Sequence, residues 1–202
     1  MKILVTGFDA FGSHALNPAS LILDALPDTL EETSILTQKI PTVAYQSLHL
    51  IEKRIESDRP DMILSIGQAG GRAEITLERI GINLNDFRIP DNAGQQPQNS
   101  PVFADGPDAY FTNLPILAIL QHLREKKIPC AISNSAGTFV CNHVLYGVRY
   151  YCEHHAPDIL SGFVHVPYLP EQTLDNHQPS MSLEMQQQAI IEIMKAMIKE
   201  RK

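Results

Sequence analysis

The sequence predicts an α/β fold, a three-layer α/β/α arrangement around a mostly parallel sheet of the phosphorylase/hydrolase-like kind. Two observations carry this expectation. Strand-length apolar runs alternate with helix-period segments along the chain, and several of those runs, such as Ile3-Leu4-Val5 and Met62-Ile63-Leu64-Ser65-Ile66, are apolar almost throughout. Strands covered by helices on both faces read this way, and parallel sheets are covered on both faces. The 202 residues suffice for one domain over 1–202 with a full core, while two would be cramped. In such folds the reactive groups gather outside the carboxyl ends of the strands.

The elements follow in order. Lys2 to Thr6 is a buried-strand pattern, and Gly7-Phe8-Asp9-Ala10-Phe11-Gly12 is a glycine-bounded loop. Asn17-Pro18 reads as an N-cap and a proline at the first helical position, opening a helix to about Ala25. Ser34 to Ile40 is a second strand, stopped by Pro41. Val43, Leu48, Ile51 and Ile55 suit a helix to about Glu56, and Met62 to Ile66 a third strand. Ile75 to Leu84 supplies one or two extended segments. Residues Pro90 to Pro107, rich in Pro, Gly, Asn, Gln and Asp, read as a long surface loop, and loops of that length in compact domains are often functional. A helix over Pro115–Lys126, a strand over Cys130–Ser133, a helix from Cys141 to about His154, a strand over Gly162–Val166 and a closing helix over Met185–Lys199 complete the chain, with no internal repeat.

Composition narrows the function. A formal charge of −7 with no clustered basic run argues against phosphate-dominated nucleic-acid binding. No apolar stretch approaches the ~20 residues that cross a bilayer, and the apolar run behind Met1-Lys2 is too short for a secretory signal. Three cysteines, an odd count, suggest reduced thiols and a cytoplasmic location. There is no CxxC or His-rich ligand spacing, so a zinc site is not expected.

Cys141 closes the run Ser133-Asn134-Ser135-Ala136-Gly137-Thr138-Phe139-Val140-Cys141-Asn142, in which a strand ends, small residues turn and a helix begins. A thiol there feels the positive end of the helix dipole, which favours the thiolate, and the free N–H groups of the first turn can hold an oxyanion. The position suits a small buried hydrophobe equally well. Cys130 falls inside a strand. Cys152 lies eleven residues beyond Cys141, roughly 17 Å along a continuous helix, too far for a disulfide.

Cysteine chemistry calls for an imidazole. His143 turns to the far side of the helix from Cys141, His154 and His155 occupy its other end, and His49 and His122 fall within helices. His14 and His177 are loop residues that spacing leaves open. His165 stands apart at the end of a strand in Phe163-Val164-His165-Val166-Pro167, where this architecture keeps reactive groups, and it competes on equal terms with a hydrogen-bonded core histidine. The carboxylate is harder to choose. Glu78, in Ile75-Thr76-Leu77-Glu78-Arg79-Ile80, reads first as a strand-surface ion pair with Arg79, and Asp91 and Asp158 are rivals.

Taken together, five segments resemble the pyroglutamyl peptidase I (pyrrolidone carboxyl peptidase) family over nearly the whole chain. They are Thr6-Gly7-Phe8-Asp9-Ala10-Phe11-Gly12 with Asn17-Pro18; Gly67-Gln68-Ala69-Gly70 with Ile75 to Asn83; Arg88-Ile89-Pro90-Asp91-Asn92; the cysteine run; and the histidine strand. The resemblance implies a cysteine exopeptidase that removes N-terminal pyroglutamate through a thioester acyl-enzyme, without a cofactor. It implies a triad of Cys141, His165 and Glu78, with Arg88 stabilising the tetrahedral intermediate. Phe8, Phe11, Asn17, Gln68, Phe139 and Val140 would bind substrate, with Gln68 and Val140 offering backbone groups to the lactam. It also implies a homotetramer. Gly81 departs from the alanine expected in most members and is expected to loosen the strand locally. The rival readings are a nucleoside-phosphorylase-like transferase, for which Gly7 to Gly12 has the wrong phosphate-loop spacing, a non-catalytic binder of pyroglutamyl termini, and a redox-sensing thiol.

Overall fold

The computed structural model of the chain describes residues 1–12 and 15–201; His14 lies outside the described residues. A seven-stranded sheet forms its middle, in the order β2-β3-β1-β4-β9-β5-β8. These strands are β1 (Lys2–Phe8), β2 (Thr29–Leu30), β3 (Thr33–Ile40), β4 (Met62–Gln68), β5 (Ile75–Glu78), β8 (Cys130–Ser133) and β9 (Leu160–Val166). The short strands β6 (Ile80–Ile82) and β7 (Ala109–Phe111) pair antiparallel in a separate ribbon. Five helices cover the sheet: α1 (Pro18–Asp24), α2 (Ala44–Asp58), α3 (Ile116–Glu125), α4 (Val140–His155) and α5 (Leu183–Arg201).

The α/β/α expectation holds, and the period-2 geometry of strands shows why. Ile3, Val5, Met62, Leu64, Ile66, Ile75, Leu77, Val164 and Val166 point to one face, where they pack with residues of α1, α3 and α5. The intervening Leu4, Phe8, Ile63 and Phe163 point to the other, into a second core with α2 and α4. Strands buried on both faces can afford few polar residues, which accounts for their unbroken apolar runs. One exception on the second face is the pair Thr6 and Ser65, whose hydroxyls bond at 2.9 Å.

Strand direction departs from the simplest expectation. β3, β1, β4 and β9 are mutually parallel, and β5 and β8 are parallel to each other, but β5 meets β9 antiparallel. The carboxyl ends of β5 and β8 therefore do not share an edge with those of β4 and β9. Functional groups from the two sets meet over the face of the sheet instead of beyond one common rim. β2 and β7 are too short to leave a sequence pattern.

Local rules hold at the element ends. Asn17 is the N-cap of α1, its Oδ1 accepting from Ala19 N at 3.0 Å, with Pro18 at the first helical position; such a cap contributes about 1 kcal/mol. Val43 gives α2 no side-chain cap, and Asp91 supplies one from the long loop, accepting from Ala44 N at 3.3 Å. The same carboxylate accepts from Ala93 N and Gln95 N, both at 2.9 Å. Residues 90–107 are a loop as their composition foretells, anchored by such bonds at its root.

Candidate active site

The antiparallel pairing of β5 with β9 sets the first relationship in the site. Thr76 lies directly across from His165 and Glu78 across from Phe163. Alternation sends Thr76, Glu78 and His165 to the face that α4 covers, since Ile75, Leu77, Val164 and Val166 occupy the other. Glu78 is thus the diagonal neighbour of His165, within reach of a long side chain. Its Oε1 lies 2.7 Å from His165 Nδ1, and both residues are buried. The surface ion pair with Arg79 does not form: Glu78 is 0% exposed, and its cationic partner is Arg72.

Arg72 sits in the loop between β4 and β5. Its Nη1 donates to Glu78 Oε1 at 2.6 Å and to Thr76 Oγ1, and its Nη2 donates to Ser135 O at 3.4 Å. Burial opposes ionisation of Glu78. Hydrogen bonding and charge from His165, with Ser133 and Arg72, outweigh it and hold the carboxyl below its ordinary value. Glu78 is therefore an anion at neutral pH and can only accept, so His165 Nδ1 carries the proton and Nε2 is the free basic nitrogen.

Cys141 is the second residue of α4, half-buried, and reaches the same place from above. An added Cβ on Gly67 would stand 3.0 Å from Cys141 Sγ and 2.8 Å from the ring of Phe163. Gly67 is the cross-strand partner of His165 on β4, so the thiol rests over a gap that only glycine leaves open, one strand from the imidazole. The standing thiolate expected at a helix N-terminus is not what the surroundings favour. Burial, followed by the charge of Glu78, pushes the Cys141 thiol up to about 12, with Arg72 acting in the opposite direction. Desolvation outweighs the helix dipole, whose effect is worth about 1 kcal/mol.

The start of α4 is held by Asn142, which is 1% exposed. Its Oδ1 accepts from Ile82 N at 2.9 Å, and its Nδ2 donates to Ile82 O at 2.9 Å and Leu84 O at 3.0 Å. Phe139, the N-cap, makes no side-chain cap bond, so it satisfies none of the first N–H groups of α4.

Above these residues lies a cavity of about 830 Å³, lined by Cys141, His165, Arg72, Arg88, Phe11, Phe139, Gln68 and Tyr168 among others. Phe139 is wedged between Phe87, with ring centroids 4.8 Å apart, and Phe11 at 6.1 Å. The Phe11 loop is pinned from several sides. Asp9 Oδ1 accepts from Thr42 N at 2.7 Å, Asn92 Nδ2 donates to Ala10 O at 2.8 Å, and Asn17 Nδ2 donates to Asp9 O at 2.8 Å. Phe8, Asn17 and Val140 are buried and are not among the residues that line the cavity. Phe8 packs on Phe163, which in turn stands 4.9 Å from the His165 ring. Arg88 is exposed at the mouth of the cavity.

The remaining candidates sit elsewhere. His143 is buried, bonded through Nδ1 to Asn85 Oδ1 at 3.0 Å, and its imidazole is depressed to about 4 by burial. His154, His155 and His177 are exposed, Asp158 is exposed, and Asp91 is committed to backbone N–H groups. Cys130 and Cys152 are free and buried, their thiols pushed up by burial to about 12 and about 11.

A helix-start thiol, a buried imidazole and a buried carboxylate thus share one face of the sheet, and comparison with known proteins assigns the framework. The family model described as pyroglutamyl peptidase matches residues 1–200. The chain belongs to the pyroglutamyl peptidase family. Among its relatives is the pyrrolidone-carboxylate peptidase of Fusobacterium nucleatum, 54% identical over 184 residues that cover 91% of this chain and 86% of the relative. That of Thermosipho africanus is 46% identical over 201 residues, 99% of this chain and 98% of the relative. The crystal structure of pyroglutamyl peptidase I from Bacillus amyloliquefaciens superposes with a TM-score of 0.95 at 44% identity, covering 97% of this chain and 94% of that one.

Within the pyroglutamyl peptidase framework, two features correct the sequence reading. Gly81 does not loosen its strand. An added Cβ there would meet Tyr146 N at 2.9 Å and Leu145 Cγ at 3.0 Å, so the missing side chain lets β6 lie directly against α4. Arg72 escaped notice because an arginine beside Gly70 and Gly71 reads as a solvated loop residue. The one available signal was that an inward carboxylate on β5 needs a cationic or donor partner close by.

Proposed function

We propose that this chain is a cysteine exopeptidase that removes N-terminal pyroglutamate from peptides, with Cys141 as nucleophile, His165 as general base and acid, and Glu78 as the carboxylate that orients the imidazole. The observation that carries this reading is the buried Glu78–His165 pair, 2.7 Å apart, on the face where α4 presents the Cys141 thiol to a phenylalanine-walled cavity.

The chemistry follows from the resting charges. With the thiol near 12, Cys141 is neutral at rest, and its proton passes to His165 Nε2 as Sγ attacks the pyroglutamyl carbonyl carbon. The imidazolium formed is stabilised by the Glu78 anion. The tetrahedral oxyanion is met by the free N–H groups at the start of α4 and by Arg88. Collapse breaks the C–N bond while His165 Nε2–H protonates the departing amine, leaving a thioester on Sγ. Water then attacks that thioester, giving its proton to His165, and releases pyroglutamate and the thiol.

The substrate class follows from the walls. Pyroglutamate is a neutral, flat lactam, and Phe11 and Phe139 offer apolar faces while backbone groups of the 68–71 loop offer hydrogen bonds. A free glutamine or glutamate terminus would bring an unpaired ammonium into this space and is rejected. A phosphate-dependent transferase fits these apolar walls poorly. Three free thiols suit a reducing cytoplasm. The homotetramer that the resemblance implies is checked by sedimentation.

The test is release of a fluorophore from a pyroglutamyl amide. Wild-type protein should turn the amide over without added phosphate, and Cys141→Ala should reduce kcat to background; substantial activity in that variant refutes the nucleophile.

A further inference from the structure

Glu78 Oε1 serves two donors at once, His165 Nδ1 at 2.7 Å and Arg72 Nη1 at 2.6 Å. Arg72 also reaches Thr76, the cross-strand partner of His165, and Ser135 O in the loop that leads to Cys141. One guanidinium therefore touches the carboxylate, the strand position facing the imidazole and the turn before the nucleophile. A planar fork spreads its donors over separate nitrogens and so spans acceptors on different segments, whereas an ammonium holds its three donors on one nitrogen. We propose that Arg72 is a positioning residue that fixes Glu78 and the 134–139 turn relative to each other, so that imidazole and thiol stay aligned through both half-reactions; this rests on the peptidase reading.

The charged and titratable groups around the thiol are few. Glu78 on β5 and His165 on β9 lie beneath it, Arg72, Arg88 and Tyr168 line the same cavity, and His143, on the thiol's own helix, is buried against Asn85. Arg72 is the cation that opposes the rise of the Cys141 thiol, so its loss also makes that thiol harder to ionise.

The experiment measures Arg72→Met and Arg72→Lys for kcat and KM on a fluorogenic pyroglutamyl amide, for iodoacetamide alkylation of Cys141 against pH, and for circular dichroism. In Arg72→Met, kcat should fall about 10- to 100-fold with KM little changed, the loss expected when a hydrogen-bonded charge partner of the site is removed. Its alkylation curve should move to higher pH. Arg72→Lys should restore the alkylation curve but recover kcat only in part, because it supplies the charge without the fork. If KM rises while kcat and the alkylation curve stay put, Arg72 contacts substrate and the positioning role is wrong. Should the Met variant fail to fold, the Lys variant decides, and a wild-type kcat there overturns the proposal. Failure of the wild-type protein to cleave the amide at all would instead defeat the peptidase reading, which the alkylation curves do not depend on.

Discussion

Glu78 reaches His165 along the diagonal of an antiparallel strand pair, from the position two residues beyond the one directly opposite the imidazole. On the proposed mechanism, the antiparallel turn of β5 against an otherwise parallel neighbour has a chemical role. It lets a carboxylate approach Nδ1 from the side while Thr76 fills the place across from the ring.

Glu78→Gln separates charge from shape. An amide oxygen in the place of Oε1 still accepts from both Arg72 and His165 Nδ1, but it carries no charge, so the imidazolium formed in the reaction loses its anionic neighbour. The folded variant should lose kcat on the order of 100-fold, read in the amide assay. The carboxyl of Glu78 is held below its ordinary 4.5 when folded, so it stabilises the fold above that value and the contribution is lost as pH falls through the folded value. Melting temperatures between pH 6 and pH 3 should fall less steeply in Glu78→Gln than in wild type.

Selective alkylation tests how the thiol is activated. All three thiols are shifted to about 11 or 12, so on the proposed mechanism Cys141 differs from the other two in lining the cavity together with His165, which would take its proton. Iodoacetamide at neutral pH should label Cys141 well ahead of Cys130 and Cys152, as read by peptide mass mapping. His165→Ala should slow that labelling about tenfold or more. Undiminished labelling would mean a thiolate stands ready without the imidazole.

Gly67→Ala should be more damaging than its size suggests. The new methyl would press on Cys141 Sγ and on the Phe163 ring. Overpacking of this kind costs about 1–3 kcal/mol, and a nucleophile displaced by about 1 Å loses rate on the order of 100-fold. Chemical denaturation and kcat together check it; a wild-type kcat would show that the thiol has room to move.

Phe11→Ala removes one wall of the cavity without touching the reacting groups. KM should rise about tenfold, equivalent to about 1.4 kcal/mol, with kcat changed far less. An unchanged KM would place the ring of the substrate elsewhere.

Much of this was legible from residues alone, for stated reasons. The unbroken apolar runs required a sheet covered on both faces, and Asn17-Pro18 marked a helix start that forms as expected. His165 was marked out by its place at a strand end before a proline. Strand direction was not legible, because Ile75-Thr76-Leu77-Glu78 reads the same whichever way it lies against β9. That is also why Glu78 could not be told from a surface ion pair: Arg79 is its neighbour in sequence, but alternation gives it to the opposite side. Arg72 was hidden for the converse reason, since a loop cation acquires meaning only from what folds over it. The rise of the thiol was not legible, because a helix terminus is visible in sequence and the desolvation of its surroundings is not.

The Asn142 side chain, bonded to Ile82 and Leu84 as another strand would be, splices the turn that carries Cys141 onto the root of the 83–107 segment. Chain length can therefore be added or removed at the tip of that segment without reaching the sulfur. A one-residue slip at its base would drag the sulfur along with it.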